Sequence, residues 1–234
     1  LIGGINMHCY VCFESIHSKT TWGHLFQLFN RKICLRCEKH FEKLQAEHAC
    51  LKCMKPTEIH DGQICDDCLA WKKRLNEDPL ERNVSIFKYN DFLKEVMSKF
   101  KYRGDYEMVY VFEKELQKAY VENFQNMPLT ITPIPLSKER YEERGFNQAE
   151  AIAKQLNKPI VNLLTRTHTE KQAKRTKRER VFSENPFQAL EVKEGMNILL
   201  IDDFYTTGTT LRQAALELKS KGANKIYALT LIRS

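Results

Sequence analysis

Between Asn197 and Thr210 the chain reads Asn-Ile-Leu-Leu-Ile-Asp-Asp-Phe-Tyr-Thr-Thr-Gly-Thr-Thr. Ile198 to Ile201 form an aliphatic run without alternation, the pattern of a central parallel strand buried on both faces, and Asp202 and Asp203 end it abruptly. A loop of small hydroxylated residues around Gly208 follows, and then Leu211, Ala214, Ala215 and Leu218 recur at helical spacing. The predicted order is strand, acid pair, hydroxyl-glycine loop, helix. Thr206, Thr207, Gly208, Thr209 and Thr210 can surround a phosphate at a helix N-terminus, where unpaired N–H donors and the helix dipole both favour an anion. The two carboxylates, acceptors only near neutral pH, suit a pair of ribose hydroxyls. A sugar phosphate is the expected ligand; a buried strand ending in a polar turn is the plainer reading.

All eight cysteines fall between residues 9 and 68, as Cys9/Cys12, Cys34/Cys37, Cys50/Cys53 and Cys65/Cys68. Each pair is Cys-x-x-Cys, a knuckle that aims two thiolates at one tetrahedral ion, and four knuckles supply two zinc sites. A disulfide scaffold needs an oxidising compartment, and the chain shows no basic-then-apolar export pattern. Sequential pairing (9, 12, 34, 37 and 50, 53, 65, 68) is favoured over interleaved pairing, which uses the same ligands. Asp61-Gly62 is expected as the tip of a zinc-ribbon hairpin. Trp22, Leu25, Phe26, Leu28 and Phe29 are expected to form a small apolar cap. Lys32, Arg36, Lys39, Lys52 and Lys55 lie near enough in sequence to offset thiolate charge; nucleic-acid contact is the alternative use for them.

With 234 residues the chain can hold one large domain or two small ones. It carries a formal net charge of +7, which favours polyanionic partners without identifying one. No apolar run approaches the roughly twenty residues of a membrane span, so a cytoplasmic protein without a membrane span is expected. Leu1 to Asn6 precede Met7 and are treated as uninformative. The break at Asn76-Glu77-Asp78-Pro79 divides a cysteine-rich module, 1–75, from a linker, 76–83, and a second domain, 84–234. That domain alternates strand and helix. Val84–Tyr89, Leu129–Pro135, the 198–201 run and Lys225–Ile232 read as strands. Helices are expected after Asn90, over Glu107–Phe124, through Leu156, and after Thr210, giving a parallel α/β sheet with helices on both faces. Lys101-Tyr102-Arg103-Gly104-Asp105 places cations and a turn glycine after a helix, either a pyrophosphate contact or an ordinary helix end. Thr165–Arg180 is the most basic segment, +5, with Arg166, Lys171, Lys174, Arg175, Lys177, Arg178 and Arg180 against Glu170 and Glu179. It is expected as an arm over the site or a solvated face.

Residues 198 to 210 resemble the phosphoribosyl-pyrophosphate (PRPP) signature of type I phosphoribosyltransferases: hydrophobic strand, two acids, two variable residues, then Thr-Thr-Gly-Ser/Thr-Thr. Phe204 departs from the Val or Ile more usual there. The block Arg144-Gly145-Phe146-Asn147-Gln148, the Lys-Tyr-Arg-Gly-Asp run at 101–105 and the cysteine module together resemble the ComF family of competence proteins over nearly the whole chain. The resemblance implies a type I phosphoribosyltransferase-like fold fronted by a double zinc-ribbon module. It implies that Asp202 and Asp203 hold the PRPP ribose hydroxyls and that Thr206 to Thr210 hold the 5′-phosphate. Lys101, Arg103 and Arg144 are implied on the pyrophosphate side, with Mg²⁺ carried mainly by the ligand's oxygens. ComF-type proteins are associated with uptake of single-stranded DNA in natural transformation, in some bacteria beside a DNA translocase. A DNA-uptake factor is therefore the first expectation. A working phosphoribosyltransferase of nucleotide salvage or synthesis is the second, although no segment reads as a base-binding pocket.

Overall fold

The computed structural model describes residues 7–16, 31–57, 63–102, 105–166 and 185–234. Their elements are α1 (Leu35–Glu38), α2 (Asp66–Leu75), β1 (Arg82–Lys88), α3 (Asp91–Tyr102), α4 (Glu113–Asn123), β2 (Thr130–Pro133), α5 (Lys138–Arg144), α6 (Gln148–Lys154), β3 (Leu164–Arg166), β4 (Phe187–Ala189), β5 (Ile198–Tyr205), α7 (Thr209–Ser220) and β6 (Ile226–Arg233). The main sheet has the order β1-β6-β5-β2 and is parallel throughout, while β3 and β4 form a separate antiparallel pair.

The signature strand is central because nothing in its apolar run tolerates water. Ile198 to Ile201 are 0% exposed. Period-two alternation sends Leu199 and Ile201 to one face and Ile198 and Leu200 to the other. The first face packs on Leu93, Val96, Met97 and Phe100 of α3, Leu116 of α4 and Ile152 of α6. The second packs on Leu211, Ala214, Ala215 and Leu218 of α7. Helices thus cover both faces, as the sequence predicts.

The cysteine knuckles are built into these same cores. Cys9 and Cys37 belong to the α3 face, and Cys50, Cys53, Cys65 and Cys68 to the α7 face. Residues 42–44 also close the open edge of β1, with Leu44 N donating to Ile86 O at 2.9 Å and Lys88 N to Glu42 O at 2.8 Å. The segment expected as a linker is held as well, since Asp78 lies against Arg212 of α7.

One local expectation is corrected. Glu107–Phe124 is not one helix: a 3-10 turn spans Tyr106–Val111 before α4 begins. The β-branched and aromatic run Val109-Tyr110-Val111-Phe112 disfavours α-helix, and the tighter turn buries Met108, Val109 and Phe112 together. The Arg144–Gln148 block lies between two helices. Gly145, at φ +76°, ends α5, and the Asn147 side chain caps α6 by accepting from Ala149 N at 3.0 Å. The Asp61-Gly62 tip, the 22–29 apolar cap and the arm beyond Arg166 lie outside the described residues.

Candidate functional site

In a parallel sheet the ligand crevice lies beyond the carboxyl ends of the strands. Here Asp202 and Asp203 lie in the C-terminal half of β5, just past the pairing of Ile201 with Pro133 at the end of β2. A cavity of about 320 Å³ opens at this edge. Its walls include Lys101, Arg140, Arg144, Arg166, Gln148, Asp202, Asp203, Thr206 and Thr210. Four cations thus face two acids, which suits a ligand more anionic than its sugar alone. Arg103 lies outside the described residues.

The acid pair is electrostatically loaded. Burial, and next the Asp203 charge, push the Asp202 carboxyl up to about 8, against the pull of Asp203 N–H, which donates to Asp202 Oδ1 at 2.9 Å, and of Lys101. Lys101 Nζ lies 2.5 Å from Asp203 Oδ2 and 4.5 Å from the Phe204 ring centre. The unusual Phe204 therefore seats the lysine over the acids. That contact lacks hydrogen-bond alignment, and Asp203 Oδ2 is left without a hydrogen-bond partner.

Because Asp202 holds its proton more tightly when folded than at the ordinary 3.8, the protonated acid's stabilisation is complete below about pH 4 and lost as pH rises to about 8. Asp202→Asn, which keeps the acceptor for Asp203 N–H, is expected to stabilise the ligand-free protein by on the order of 2 kcal/mol near pH 9 and by almost nothing near pH 4. Thermal unfolding at both pH values checks this; equal shifts would contradict it.

Sequence reasoning missed part of the wall. Gln148 is 2% exposed; its Oε1 accepts from Arg144 Nη1 at 2.9 Å, which fixes the amide so that Nε2, a buried donor with no hydrogen-bond partner, is available to an acceptor. Arg166 was counted in the basic arm. It is instead the last residue of β3, its guanidinium 5.4 Å from the Phe187 ring centre, and burial together with Arg140 lowers its pKa while Asp202 opposes. Its place in a short strand could be read only once β4 was known to pair with it.

The loop divides between two spaces. Thr206 and Thr210 reach the main cavity, whereas Thr206, Thr207 and Thr209 also line a neighbouring cavity of about 330 Å³ with Asp67, Trp71 and Arg74 of α2. Gly208 is the buried N-cap of α7, at φ +76°, and Thr207 Oγ1 accepts from Thr209 N at the helix start at 3.4 Å. A Cβ at Gly208 would collide with the Arg212 guanidinium and the Tyr205 ring, so both conformation and space require glycine.

The eight cysteines form two groups, Cys9/Cys12/Cys34/Cys37 and Cys50/Cys53/Cys65/Cys68, with the sulfurs of each group within 4.8 Å of one another. The grouping is sequential. Sulfur separations of 3.8 Å (Cys12–Cys34) and 3.6 Å (Cys53–Cys65) match the edge of about 3.8 Å expected for four thiolates around Zn²⁺. Each group could hold a metal ion and is compatible with structural zinc. Elemental analysis of protein purified without chelator is expected to give about two zinc ions per chain; one or none would rule out the double site.

Residues 116–234 match the model of the phosphoribosyl transferase domain. Competence protein ComFC of Bacillus subtilis is 41% identical, with 99% of this chain and 98% of that protein covered. Competence protein ComFC of Streptococcus pneumoniae is 32% identical, covering 97% and 100%. DNA utilization protein YhgH of Salmonella typhimurium is 24% identical, covering 97% and 96%. With such identity spread over nearly the full length of both chains, and the domain matched across the strand-acid-loop site, this chain belongs to the ComF family and carries a phosphoribosyl transferase domain.

Proposed function

We propose that the cavity at the ends of β2 and β5 binds PRPP with Mg²⁺, and that the chain serves in the cytoplasm as a DNA-uptake factor of natural transformation that also binds single-stranded DNA. The observation that carries the ligand is the meeting of an acid pair, a glycine-threonine helix start and four cations in one cavity. Asp202 and Asp203 accept from the ribose hydroxyls, and the 206–210 loop takes the 5′-phosphate. Lys101 and Arg144 face the pyrophosphate, joined by Arg140, Arg166 and the unpaired Gln148 donor. Arg103 is assigned to the same side by its sequence motif. Mg²⁺ travels with the ligand's own oxygens and offsets charge there.

The role in DNA uptake is supported by the names of the relatives, competence protein and DNA utilization protein. The chain's +7 charge, and the +5 of residues 165–180, fit a polyanion. A DNA translocase of the competence machinery is the protein partner proposed. Binding of labelled single-stranded DNA is expected to fall about a hundredfold between 50 and 200 mM salt, the slope of roughly five phosphate contacts. Neutralising Arg175, Lys177 and Arg178 should flatten that slope; affinity indifferent to both changes would remove DNA from the function.

A phosphoribosyl-transfer enzyme is the second reading, favoured by β3 and β4. This pair sets Arg166 into the cavity wall, giving the site a side on which an acceptor could be held. Release of pyrophosphate from PRPP against a panel of bases and DNA separates the two: turnover with one acceptor makes the chain an enzyme, and none makes it a binding module.

A further inference from the structure

The second cysteine group touches the rest of the protein through two arginines that are almost fully buried, Arg212 at 1% exposure and Arg233 at 3%. Arg233 donates from Nη2 to Cys53 Sγ at 3.8 Å and from Nε to Cys53 O at 3.1 Å. Its Nη1 donates to Thr206 O at 2.9 Å and Tyr205 O at 3.3 Å. Arg212 reaches Cys68 Sγ at 3.8 Å and the Tyr205 hydroxyl at 2.6 Å. From α2, which begins at the fourth knuckle, Trp71 Nε1 donates to Thr207 O at 2.9 Å. Arg233 therefore bridges a cysteine sulfur and the threonine-glycine loop, while Arg212 links Cys68 to Tyr205 at the end of β5.

We infer that the Cys50/Cys53/Cys65/Cys68 site and the loop Thr206–Thr210 are one coupled unit, in which Arg233, Arg212 and Trp71 are positioning residues that transmit metal occupancy to the loop. The physical reason lies in the planarity of the peptide. When Arg233 holds the Thr206 carbonyl and Trp71 holds the Thr207 carbonyl, the N–H groups of Thr207 and Gly208 are turned away from the cysteine site, as an anion-binding loop requires. Electrostatics works in the same direction. Four thiolates around Zn²⁺ carry about −2, and Arg233 beside Cys53 balances part of that charge, joined by Arg212, which also answers Asp78. Emptying the site removes the anion beside Arg233 and frees it to shift, along with the Thr206 carbonyl it grips, while Arg212 stays tied to Asp78 and loses only its Cys68 contact. The first cysteine group has no such connection among the described residues: it meets α3, where Lys99 Nζ donates to Val11 O at 3.0 Å.

Coupling of this kind is reciprocal, so an anion seated in the loop must also hold the metal. The inference rests on the reading of this loop as a phosphate site, and the test separates the two. Amide hydrogen exchange over residues 206–210 is followed in the zinc-loaded wild type, Arg233→Lys, Trp71→Phe, Cys68→Ser and, as control, Cys12→Ser. Exchange in Cys68→Ser and Arg233→Lys is expected to quicken by about tenfold, in Trp71→Phe by less, and in Cys12→Ser to stay within about twofold of wild type. If Cys68→Ser does not fold, Arg233→Lys and Trp71→Phe decide. Release of zinc to a chromogenic chelator is then timed with and without Mg²⁺ and PRPP. Ligand is expected to slow release of one of the two zinc ions by about tenfold in wild type and by much less in Arg233→Lys. Loop exchange unmoved by Arg233→Lys and Trp71→Phe, or moved equally by Cys12→Ser, overturns the coupling. Altered exchange with no PRPP bound by the wild type overturns the ligand instead and leaves the coupling standing.

Discussion

Calorimetry with PRPP and Mg²⁺ is expected to lose its binding signal when Asp202 and Asp203 are both replaced by alanine. Each acid accepts a hydrogen bond from a ribose hydroxyl, worth about 1.5–3 kcal/mol when the acid is ionised, so above about pH 8, where Asp202 has lost its proton, the pair accounts for a loss of between about 10² and 10⁴ in affinity. A second ligand makes the result diagnostic. Inorganic pyrophosphate has no ribose, and the double substitution removes negative charge from a cavity that keeps Lys101, Arg140, Arg144 and Arg166. Pyrophosphate should bind the variant as well as the wild type or better, while PRPP binds far worse. If PRPP affinity is unchanged, the acids do not face the sugar and the assignment fails. If both ligands weaken together, the acids support the cavity's shape and make no ribose contact.

The acids that serve a ligand also strain the empty protein. Asp202 is pushed up to about 8 because two carboxylates and their burial compete in one corner, with Lys101 and the Asp203 N–H opposing. Replacing Asp202 by asparagine is thus expected to stabilise the chain and weaken its ligand in the same step, the exchange of stability for function that marks a binding site. A merely structural acid pair would not show both effects.

How much of this could be read in advance depended on whether the signal was local. Ile198–Ile201, the acids and Thr206–Thr210 are contiguous, and their order alone placed a strand, a loop and a helix start correctly. The Cys-x-x-Cys spacing did the same for the thiolates, and the compact grouping of Cys50 to Cys68 matches the sequential pairing that short loops favour. What stayed hidden was long-range. Arg212 reads as one exposed cation in an amphipathic helix, and Arg233 follows the last residue of the expected final strand. Their partners, Asp78, Cys53, Cys68 and Thr206, lie from 27 to 180 residues away. Asp78 itself stands in a charged stretch that composition marks as a linker. The charge balance of the cysteine site is local only in part: Lys55 pairs with Asp67 at the surface and is also drawn by Cys65, while the cations against Cys53 and Cys68 come from the other end of the chain.

The largest stability effect is expected from that hidden contact. Arg212 is held by Asp78 through two bonds, Nε to Oδ1 at 3.1 Å and Nη2 to Oδ2 at 2.8 Å, with side-chain exposures of 1% and 6%. The geometry is bidentate and water is excluded, so the pair differs from the exposed Lys118–Glu122 and Lys138–Glu142 pairs, which contribute little. Asp78→Ala removes one partner and leaves a buried guanidinium facing Tyr205, Cys68 and the Trp71 ring with no carboxylate. The cost is expected at about 3–5 kcal/mol, or a fall in Tm of roughly 10 °C, against about 1 kcal/mol or less for Glu122→Ala. Asp78→Asn, which keeps one acceptor of the same shape, should fall between. Because Asp78 orients the arginine that touches both Tyr205 and Cys68, the loss should spread beyond the 76–83 stretch. Amide exchange in α7 and over residues 66–71 of α2 should quicken along with the fall in Tm. A cost under about 1 kcal/mol, the level of an exposed pair, would mean that this stretch behaves as a free linker and that Arg212 finds its compensation elsewhere.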